Sequence, residues 1–357
     1  MGRCLLAPFA LLLGGILRLR HWCYDRGIFK SYEAGVPTLC IGNLTVGGTG
    51  KSPLVADLMA RFGTPSGAVV LSRGYGRTTR GYREVRPLSL ATEVGDEPLQ
   101  LKLREPEARV VVCEDRVAGC QRLLETFPDC PCIILDDAFQ HRRLRASYNI
   151  LLSRYNCPYS RDWLLPRGLL RDVRKAAERA HTIALTGIPP EVSESEARAL
   201  AETLRTNPQQ RLLFSTITYD APRGIWGKEV VVEKGNTLTL AIAGIAQPQP
   251  FFDYLRTHWG VTQTRVYPDH YRFNQKDLAE LEALAEQGFT IFTTEKDAAR
   301  LRQYIPSHSS LYERLLYVPI RLQWLWGSEQ ILERIWHEVC NGRTSERGTC
   351  SNVPPSL

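Results

Sequence analysis

The chain has 357 residues, of which 43% are hydrophobic and 23% charged, and its formal net charge is +7. This composition excludes a largely disordered protein, and the length suggests two domains. The positive charge suits an acidic partner: a phosphorylated small molecule, an anionic membrane or nucleic acid. No zinc-finger spacing and no interleaved aromatic motif accompanies the basic residues, so we expect no nucleic acid partner.

An uncharged apolar segment lies close to the N-terminus. Residues 5–17 read LLAPFALLLGGIL, and arginine, tryptophan and tyrosine side chains follow directly at 18–26. Crossing a bilayer takes about 20 apolar residues, whereas a shorter stretch with a basic, aromatic flank is typical of a helix in the membrane interface. We expect residues 1–30 to form such a membrane-associating helix. The alternatives are a helix buried against the core and a secretory signal peptide, although no small-residue cleavage site follows.

A glycine-rich turn comes next. Residues 36–53 read VPTLCIGNLTVGGTGKSP, an apolar run that predicts a buried strand, then the turn, then a proline tolerated in the first turn of a helix. A phosphate-binding loop needs this order, because glycines let backbone N–H groups approach phosphate oxygens. Lys51 can then reach the terminal phosphates and the Ser52 hydroxyl can bind Mg²⁺. The general pattern has glycine where this chain has Thr45, so an ordinary glycine turn is the alternative.

Apolar runs continue to alternate with helical segments over residues 31–210. This alternation predicts an α/β fold, with a phosphate-loop NTPase-type core in which a parallel sheet is covered on both faces. The predicted elements are a helix at 53–62, strands at 67–72, 110–113, 132–137 and 183–185, and a helix at 191–206.

Two adjacent carboxylates, Asp136 and Asp137, end the strand predicted at 132–137. In phosphate-loop folds a neighbouring strand commonly presents an aspartate toward the Mg²⁺ ion, which prefers oxygen ligands. The alternative is a plain strand-to-turn boundary, where aspartate is common. We expect Asp136 to be the metal ligand.

The second half of the chain is predicted to form a separate, smaller α/β domain. Glycine, proline and tyrosine break the pattern at 211–237, where we place an extended linker. Strand and helix patterns return at 238–340, ending with a helix at 328–339. The tail at 341–357 has no apolar periodicity and is predicted to be disordered.

Eight motifs together resemble the tetraacyldisaccharide 4′-kinase family, also called lipid A 4′-kinases. The resemblance follows the order of that family's segments from the N-terminal helix to about Val339. The motifs are GNLTVGGTGKSP at 42–53, SRGYGR at 72–77, VGDEP at 94–98, DDAFQH at 136–141, LLPRGLLRD at 164–172, AIAGIAQPQPFF at 241–252, PDHYRF at 268–273 and TTEKDAAR at 293–300.

The resemblance implies transfer of the γ-phosphate of ATP, with Mg²⁺, to the 4′-hydroxyl of a tetraacyl disaccharide 1-phosphate. It also implies a peripheral protein at the cytoplasmic face of a Gram-negative inner membrane, with no obligate protein partner. An interfacial helix suits an acylated substrate, and clustered arginines suit a substrate that already carries phosphate.

The resemblance also implies roles for individual residues. Asp96 and His270 correspond to a dyad that takes the hydroxyl proton, although taken alone they would be a loop cap and a turn residue. Ser52 and Asp136 face the metal. The implied ATP-binding residues are Thr45, Val46, Gly47, Gly48, Thr49, Gly50, Lys51 and Ser52. The implied contacts with substrate or phosphate are Arg73, Arg77, Asp137, His141 and Arg171.

Two other functions stay open from the residues alone. One is a phosphate-loop kinase of a soluble sugar or nucleoside, which would not need the apolar N-terminal segment. The other is a nucleotide-dependent switch whose basic surface engages nucleic acid or a protein. A switch needs no pair of residues that deprotonates an acceptor, so the GDEP and PDH motifs disfavour it.

Overall fold

The computed structural model describes residues 6–227, 230 and 238–341. Over these residues the strands form a nine-stranded sheet and a five-stranded sheet, both mostly parallel. Strand Thr38–Asn43 is buried along its whole length, as are Val69–Ser72 and Ile133–Asp136. Strands covered on both faces have continuous apolar runs, and this is why the sequence pattern identified them. The predicted α/β architecture, with a parallel-sheet core and a second, smaller unit, is confirmed.

The large sheet holds the phosphate-loop segment near its centre. Its strands are β1 (Thr38–Asn43), β2 (Val69–Ser72), β3 (Arg83–Glu84), β4 (Arg109–Val112), β5 (Ile133–Asp136), β6 (Tyr148–Arg154), β7 (Thr182–Thr186), β8 (Arg211–Tyr219) and β14 (Ile320–Leu325). They lie in the order β14-β8-β7-β6-β1-β5-β2-β4-β3. Only the outermost pairs, β14 with β8 and β3 with β4, are antiparallel. Strand β1 therefore lies between β5 and β6, beside the strand that ends in Asp136.

The small sheet has the order β11-β10-β12-β13-β9. These strands are β9 (Arg223–Gly224), β10 (Thr239–Ala243), β11 (Gln263–Val266), β12 (Thr290–Thr294) and β13 (Leu315–Val318).

Helices cover both sheets. They are α1 (Ala7–Asp25), α2 (Lys51–Leu58), α3 (Asp96–Arg104), α4 (Arg116–Thr126), α5 (Glu194–Glu202), α6 (Gln249–Trp259), α7 (Gln275–Glu286), α8 (Glu295–Leu301) and α9 (Ser328–Trp336). Shorter helical segments lie at Thr64–Ser66, Ala91–Val94 and Leu311–Arg314, with 3-10 or π turns at Met59–Gly63, Tyr159–Arg161, Arg174–Arg179, Arg302–Tyr304 and His337–Asn341.

Two predicted boundaries need correction. The linker expected at 211–237 begins with β8, a nine-residue strand of the large sheet. The chain also returns to the large sheet after β13, because β14 pairs with β8 and α9 packs against both of these strands. The turn that follows α9, His337–Asn341, reaches β1. The apolar pattern of α9 predicted a buried helix, but periodicity does not say against which sheet a helix packs. Apart from Asn341, the tail predicted at 341–357 lies outside the described residues.

Helix α1 has two different faces. Ala10, Gly14 and His21 are buried, and a Cβ atom placed on Gly14 would lie 3.0 Å from Leu164 Cδ1, so the helix packs closely on the core. The other face exposes large apolar side chains, namely Phe9, Leu11, Leu12, Ile16, Leu19 and Trp22. No helix within the described ranges is both long and apolar enough to cross a bilayer.

Candidate active site

The phosphate loop connects β1 to α2. Gly50 caps the N-terminus of α2 with φ +85°, a left-handed conformation that favours glycine. Thr49 is held from both sides: Asn43 Nδ2 donates to Thr49 Oγ1 at 2.8 Å, and Thr186 Oγ1 donates to the Thr49 carbonyl at 2.9 Å. The first backbone N–H groups of α2 have no acceptor within the helix and point toward the loop, so they can bind an anion there.

Lys51, Asp137 and Arg171 form a charged group beside this loop. Lys51 Nζ lies 3.8 Å from Asp137 Oδ1. Arg171 holds the same carboxylate with both terminal nitrogens, donating from Nη1 to Oδ2 at 3.0 Å and from Nη2 to Oδ1. Burial acts to raise the pKa of Asp137, but the hydrogen bond from Arg171 and the charge of Lys51 outweigh it and hold that pKa below its usual value. Asp137 is therefore an anion at neutral pH, and its position orients Lys51.

Asp136 ends β5 and is suited to a divalent cation. Ser72 Oγ donates to its Oδ2 at 2.9 Å, whereas no donor among the described residues reaches its buried Oδ1. Burial, then the charges of Glu97 and Asp137, raise the pKa of Asp136 to about 6. Ser52 and Asp136 line the same narrow cleft. Mg²⁺ usually takes one or two protein oxygens and completes its shell with water and phosphate, so this donor set fits the ion.

Asp96 and His270 come together from the two sheets. His270 Nδ1 lies 2.9 Å from Asp96 Oδ2, although the residues are 174 positions apart in the chain. Asp96 begins α3 on the large sheet, and His270 follows β11 with φ +58°. Burial acts to raise the pKa of Asp96, but the hydrogen bond from His270 and the charge of Arg300 outweigh it and hold that pKa below its usual value.

Two basic side chains to which the sequence motifs assigned no role, Arg300 and Lys296, lie beside Asp96 and His270. Arg300 Nε donates to Asp96 Oδ2 at 2.8 Å, and Lys296 Nζ donates to Glu97 at 3.1 Å. Both lie four residues apart on α8, so they share one face of that helix. The motif TTEKDAAR contained both residues, and its position directly after an apolar strand was the available signal.

The other predicted contact residues differ in their surroundings. Arg73 is exposed beside the cleft, whereas Arg77 is held by Glu114 and by the Gly81 carbonyl at 2.7 Å. His141 Nε2 is buried, and none of the described residues donates to it or accepts from it. Burial lowers the pKa of His141, so its imidazole is neutral at pH 7.

Comparison with known proteins identifies the family. The model of the tetraacyldisaccharide-1-P 4′-kinase family matches residues 2–339. The chain belongs to this family. The kinase is similar to tetraacyldisaccharide 4′-kinases of Cytophaga hutchinsonii and Flavobacterium johnsoniae, each 37% identical. The alignments cover 93% and 89% of this chain and 95% and 92% of those relatives.

A solved structure shares the fold of this kinase. A crystal structure of LpxK from Aquifex aeolicus in complex with ATP has a TM-score of 0.73 and 26% sequence identity, and the match covers 95% of this chain and 100% of that one. The protein is therefore a phosphotransferase that uses ATP and a hydroxyl acceptor. Of the three functions left open by the residues, family membership supports the lipid kinase.

Proposed function

We propose that this kinase transfers the γ-phosphoryl group of ATP to the 4′-hydroxyl of a tetraacyl disaccharide 1-phosphate, producing the lipid A precursor, with His270 as the base. The observation that carries the proposed mechanism is the 2.9 Å contact between His270 Nδ1 and Asp96 Oδ2. A carboxylate at this nitrogen fixes the tautomer with hydrogen on Nδ1. The lone pair of Nε2, which Lys296 Nζ approaches at 3.5 Å, can then accept a proton.

The transfer is a single displacement. The 4′-oxygen forms a bond to the γ-phosphorus, the bond from that phosphorus to the β–γ bridging oxygen breaks, and ADP leaves. The hydroxyl proton passes to His270 Nε2, and Asp96 stabilises the imidazolium that forms. Phosphoryl transfer depends mainly on positioning and charge neutralisation, so the charged groups around the loop contribute as much as the base.

The phosphate loop supplies that positioning. The backbone N–H groups of residues 47–52 bind the β- and γ-phosphate oxygens, and Lys51 neutralises their charge. The Val46 N–H, predicted to contact ATP, instead donates to the Leu169 carbonyl at 2.8 Å. Asp137, held by Arg171, fixes Lys51 through the 3.8 Å ion pair. Ser52 and Asp136 would hold Mg²⁺, which when bound neutralises phosphate charge. The unpartnered Oδ1 atom of Asp136 supports this assignment. Arg73 is exposed and available for the disaccharide phosphate, whereas Arg77 is engaged by Glu114 and the His141 Nε2 atom is buried.

Helix α1 supports association with the cytoplasmic face of the inner membrane. Its exposed apolar face can enter the boundary between headgroups and acyl chains. Arg18 and Arg26 are exposed toward its C-terminal end, where anionic headgroups attract them. A peripheral helix of this kind would bring the active site to a substrate whose acyl chains stay in the bilayer.

The decisive experiment is transfer of radiolabelled phosphate from ATP to purified tetraacyl disaccharide 1-phosphate in detergent micelles. Wild-type protein should label the lipid, and Asp96→Asn and His270→Gln should each lower kcat by roughly 10²-fold or more, the usual contribution of a general base. A soluble disaccharide 1-phosphate without acyl chains is the matched acceptor. Labelling of that acceptor with the same kcat/KM would favour the soluble sugar kinase, and ATP hydrolysis without any labelling would refute the proposed transfer.

A further inference from the structure

We propose that Arg300 is a positioning residue that assembles and charges the Asp96–His270 pair. The inference rests on the proposed function, because it assigns a role toward the base named above. No motif pointed to Arg300 as part of the proton-accepting group.

Arg300 touches both members of the pair. Its Nε and Nη2 atoms lie 2.8 Å and 2.7 Å from Asp96 Oδ2, the oxygen that also lies next to His270. Its Nη2 lies 3.3 Å from His270 Nδ1. A guanidinium with two nitrogens on one carboxylate oxygen fixes the direction of that oxygen as well as its charge. Asp96 is thereby kept ionised and turned toward His270.

Residues of the small-sheet unit fix the Arg300 side chain in turn. Its Nη1 atom donates to Asp297 Oδ1 at 2.8 Å and to the Gly244 carbonyl at 3.0 Å. Asp297 is fully buried and accepts hydrogen bonds from Gly244 N at 2.9 Å and Thr294 Oγ1 at 2.6 Å. The Arg300 side chain is only 5% exposed. The small sheet therefore presents a fixed cation to the first residue of α3, and the dyad forms only when the two sheets meet.

Other charged and titratable groups also surround the dyad. Lys296 Nζ lies 3.5 Å from His270 Nε2, and Asp269 Oδ1 lies 3.9 Å from the same nitrogen. The Tyr75 ring lies 5.5 Å from the imidazole. The titratable or charged groups around Asp96 are thus His270, Arg300, Asp297, Lys296, Glu97, Asp269 and Tyr75. Among them Arg300 is the cation with two direct contacts to the Asp96 carboxylate.

The inference predicts a change in pH dependence. A positive charge in contact with a carboxylate lowers its pKa by about 1 to 3, so removal of the charge raises the pKa of Asp96. Asp96 and His270 share a hydrogen bond and take up protons as a coupled pair, and Arg300 contacts both of them. Loss of the Arg300 charge lets the pair accept a proton at higher pH, so the acidic limb of the kcat/KM profile should move to higher pH. A residue that only stabilises the fold would lower the amplitude and leave the limb in place.

The test compares Arg300→Gln with wild type in the micelle assay from pH 5 to 9. We expect the acidic limb to rise by about one pH unit or more and kcat to fall about 10- to 100-fold, with KM for ATP unchanged. Arg104→Ala is the matched control. Arg104 also joins α3 to α8, through Glu295 at 3.6 Å, but it does not contact the dyad. The limb should keep its wild-type position in that variant.

The outcomes separate the two proposals. If Asp96→Asn keeps wild-type kcat, the proposed base is wrong. If Asp96→Asn lowers kcat but Arg300→Gln leaves the limb within about 0.2 pH unit, the Arg300 inference is wrong, because loss of a contacting charge should shift it by about one unit. Should Arg300→Gln fail to fold, Arg300→Lys serves instead, because lysine keeps the positive charge and loses the contact of two nitrogens with Asp96 Oδ2. A wild-type kcat in Arg300→Lys would show that the two-nitrogen contact is not needed and would overturn the positioning role of Arg300.

Discussion

His21 Nε2 lies 2.6 Å from Asp172 Oδ1, and the Asp172 side chain is completely buried. This contact joins the exposed apolar helix α1 to the loop after β6. Arg142 strengthens the junction, donating to the His21 carbonyl at 3.1 Å and to Asp25 at 2.7 Å. Helix α1 is thus part of the folded kinase core on one face and exposes apolar side chains on the other. Its association with the membrane interface stays a prediction.

The His21–Asp172 contact should contribute strongly to stability. Removal of one partner of a buried hydrogen bond leaves the other partner unsatisfied and typically costs about 1–3 kcal/mol. We expect Asp172→Ala to lower the free energy of unfolding by about that amount, measured by urea unfolding followed by circular dichroism. In the background of His21→Ala the same substitution should cost at least about 1 kcal/mol less. Additive effects of the two substitutions would contradict a direct interaction.

The exposed face of α1 should bind membranes. Leu12 and Ile16 are 66% and 57% exposed, so Leu12→Asp/Ile16→Asp should leave the thermal unfolding midpoint nearly unchanged. Charges on the apolar face oppose insertion into the headgroup region, and binding to vesicles that contain anionic lipid should fall about tenfold or more. Co-sedimentation with these vesicles measures the binding. Val266→Asp, at a position 63% exposed on the small sheet, is the control and should bind as wild type does.

Burial of Asp136 should cost stability at neutral pH. Its pKa is about 6 in the folded protein against an ordinary value of 3.8, so its contribution to stability is greatest below pH 4 and is lost as the pH rises through 6. Asp136→Asn should therefore be more stable than wild type at pH 8, by roughly 3 kcal/mol without metal, and the difference should vanish near pH 4. Transfer activity should fall sharply.

Calorimetry at several pH values without divalent cations measures the difference in stability between Asp136→Asn and wild type, as a difference in unfolding temperature. Asp129→Asn is the control, because the Asp129 side chain is 64% exposed and lies in a surface ion pair with Arg109. It should change stability little at any pH. A constant difference between Asp136→Asn and wild type across the pH range would refute the linkage.

Replacement of Gly50 should cost more stability than replacement of Gly48, because Gly50 has a left-handed backbone conformation. Gly50 has φ +85°, so Gly50→Ala should lower the free energy of unfolding by about 1–2 kcal/mol and weaken ATP binding. Gly48 does not have a positive φ, and a Cβ atom there meets nothing within 4 Å. Gly48→Ala should stay within about 0.5 kcal/mol of wild type in denaturant unfolding. Equal losses in the two variants would show that the backbone conformation is not the cause.

Local patterns in the sequence predicted much of the large sheet. Five of its strands are short apolar runs between helical segments, namely β1, β2, β4, β5 and β7. An apolar run buried on both faces can be recognised from its own residues, without knowledge of the strands that pair with it. The phosphate loop and Asp136 were predicted for the same reason, since their spacing lies within one strand-loop-helix unit or at one strand end. β3, β6, β8 and β14 were missed: β3 has only two residues, and the other three strands mix polar with apolar side chains.

The sequence by itself determined the α/β class, the loop at 45–52 and, through the resemblance, the family. The tertiary structure decided which distant residues meet. The pairing of β14 with β8, the packing of α9 against β8 and the contact of Arg300 with Asp96 all depend on chain segments separated by about a hundred residues or more. Local periodicity carries no information on such pairings, because they are selected by the packing free energy of the whole core and by the need to neutralise buried charge.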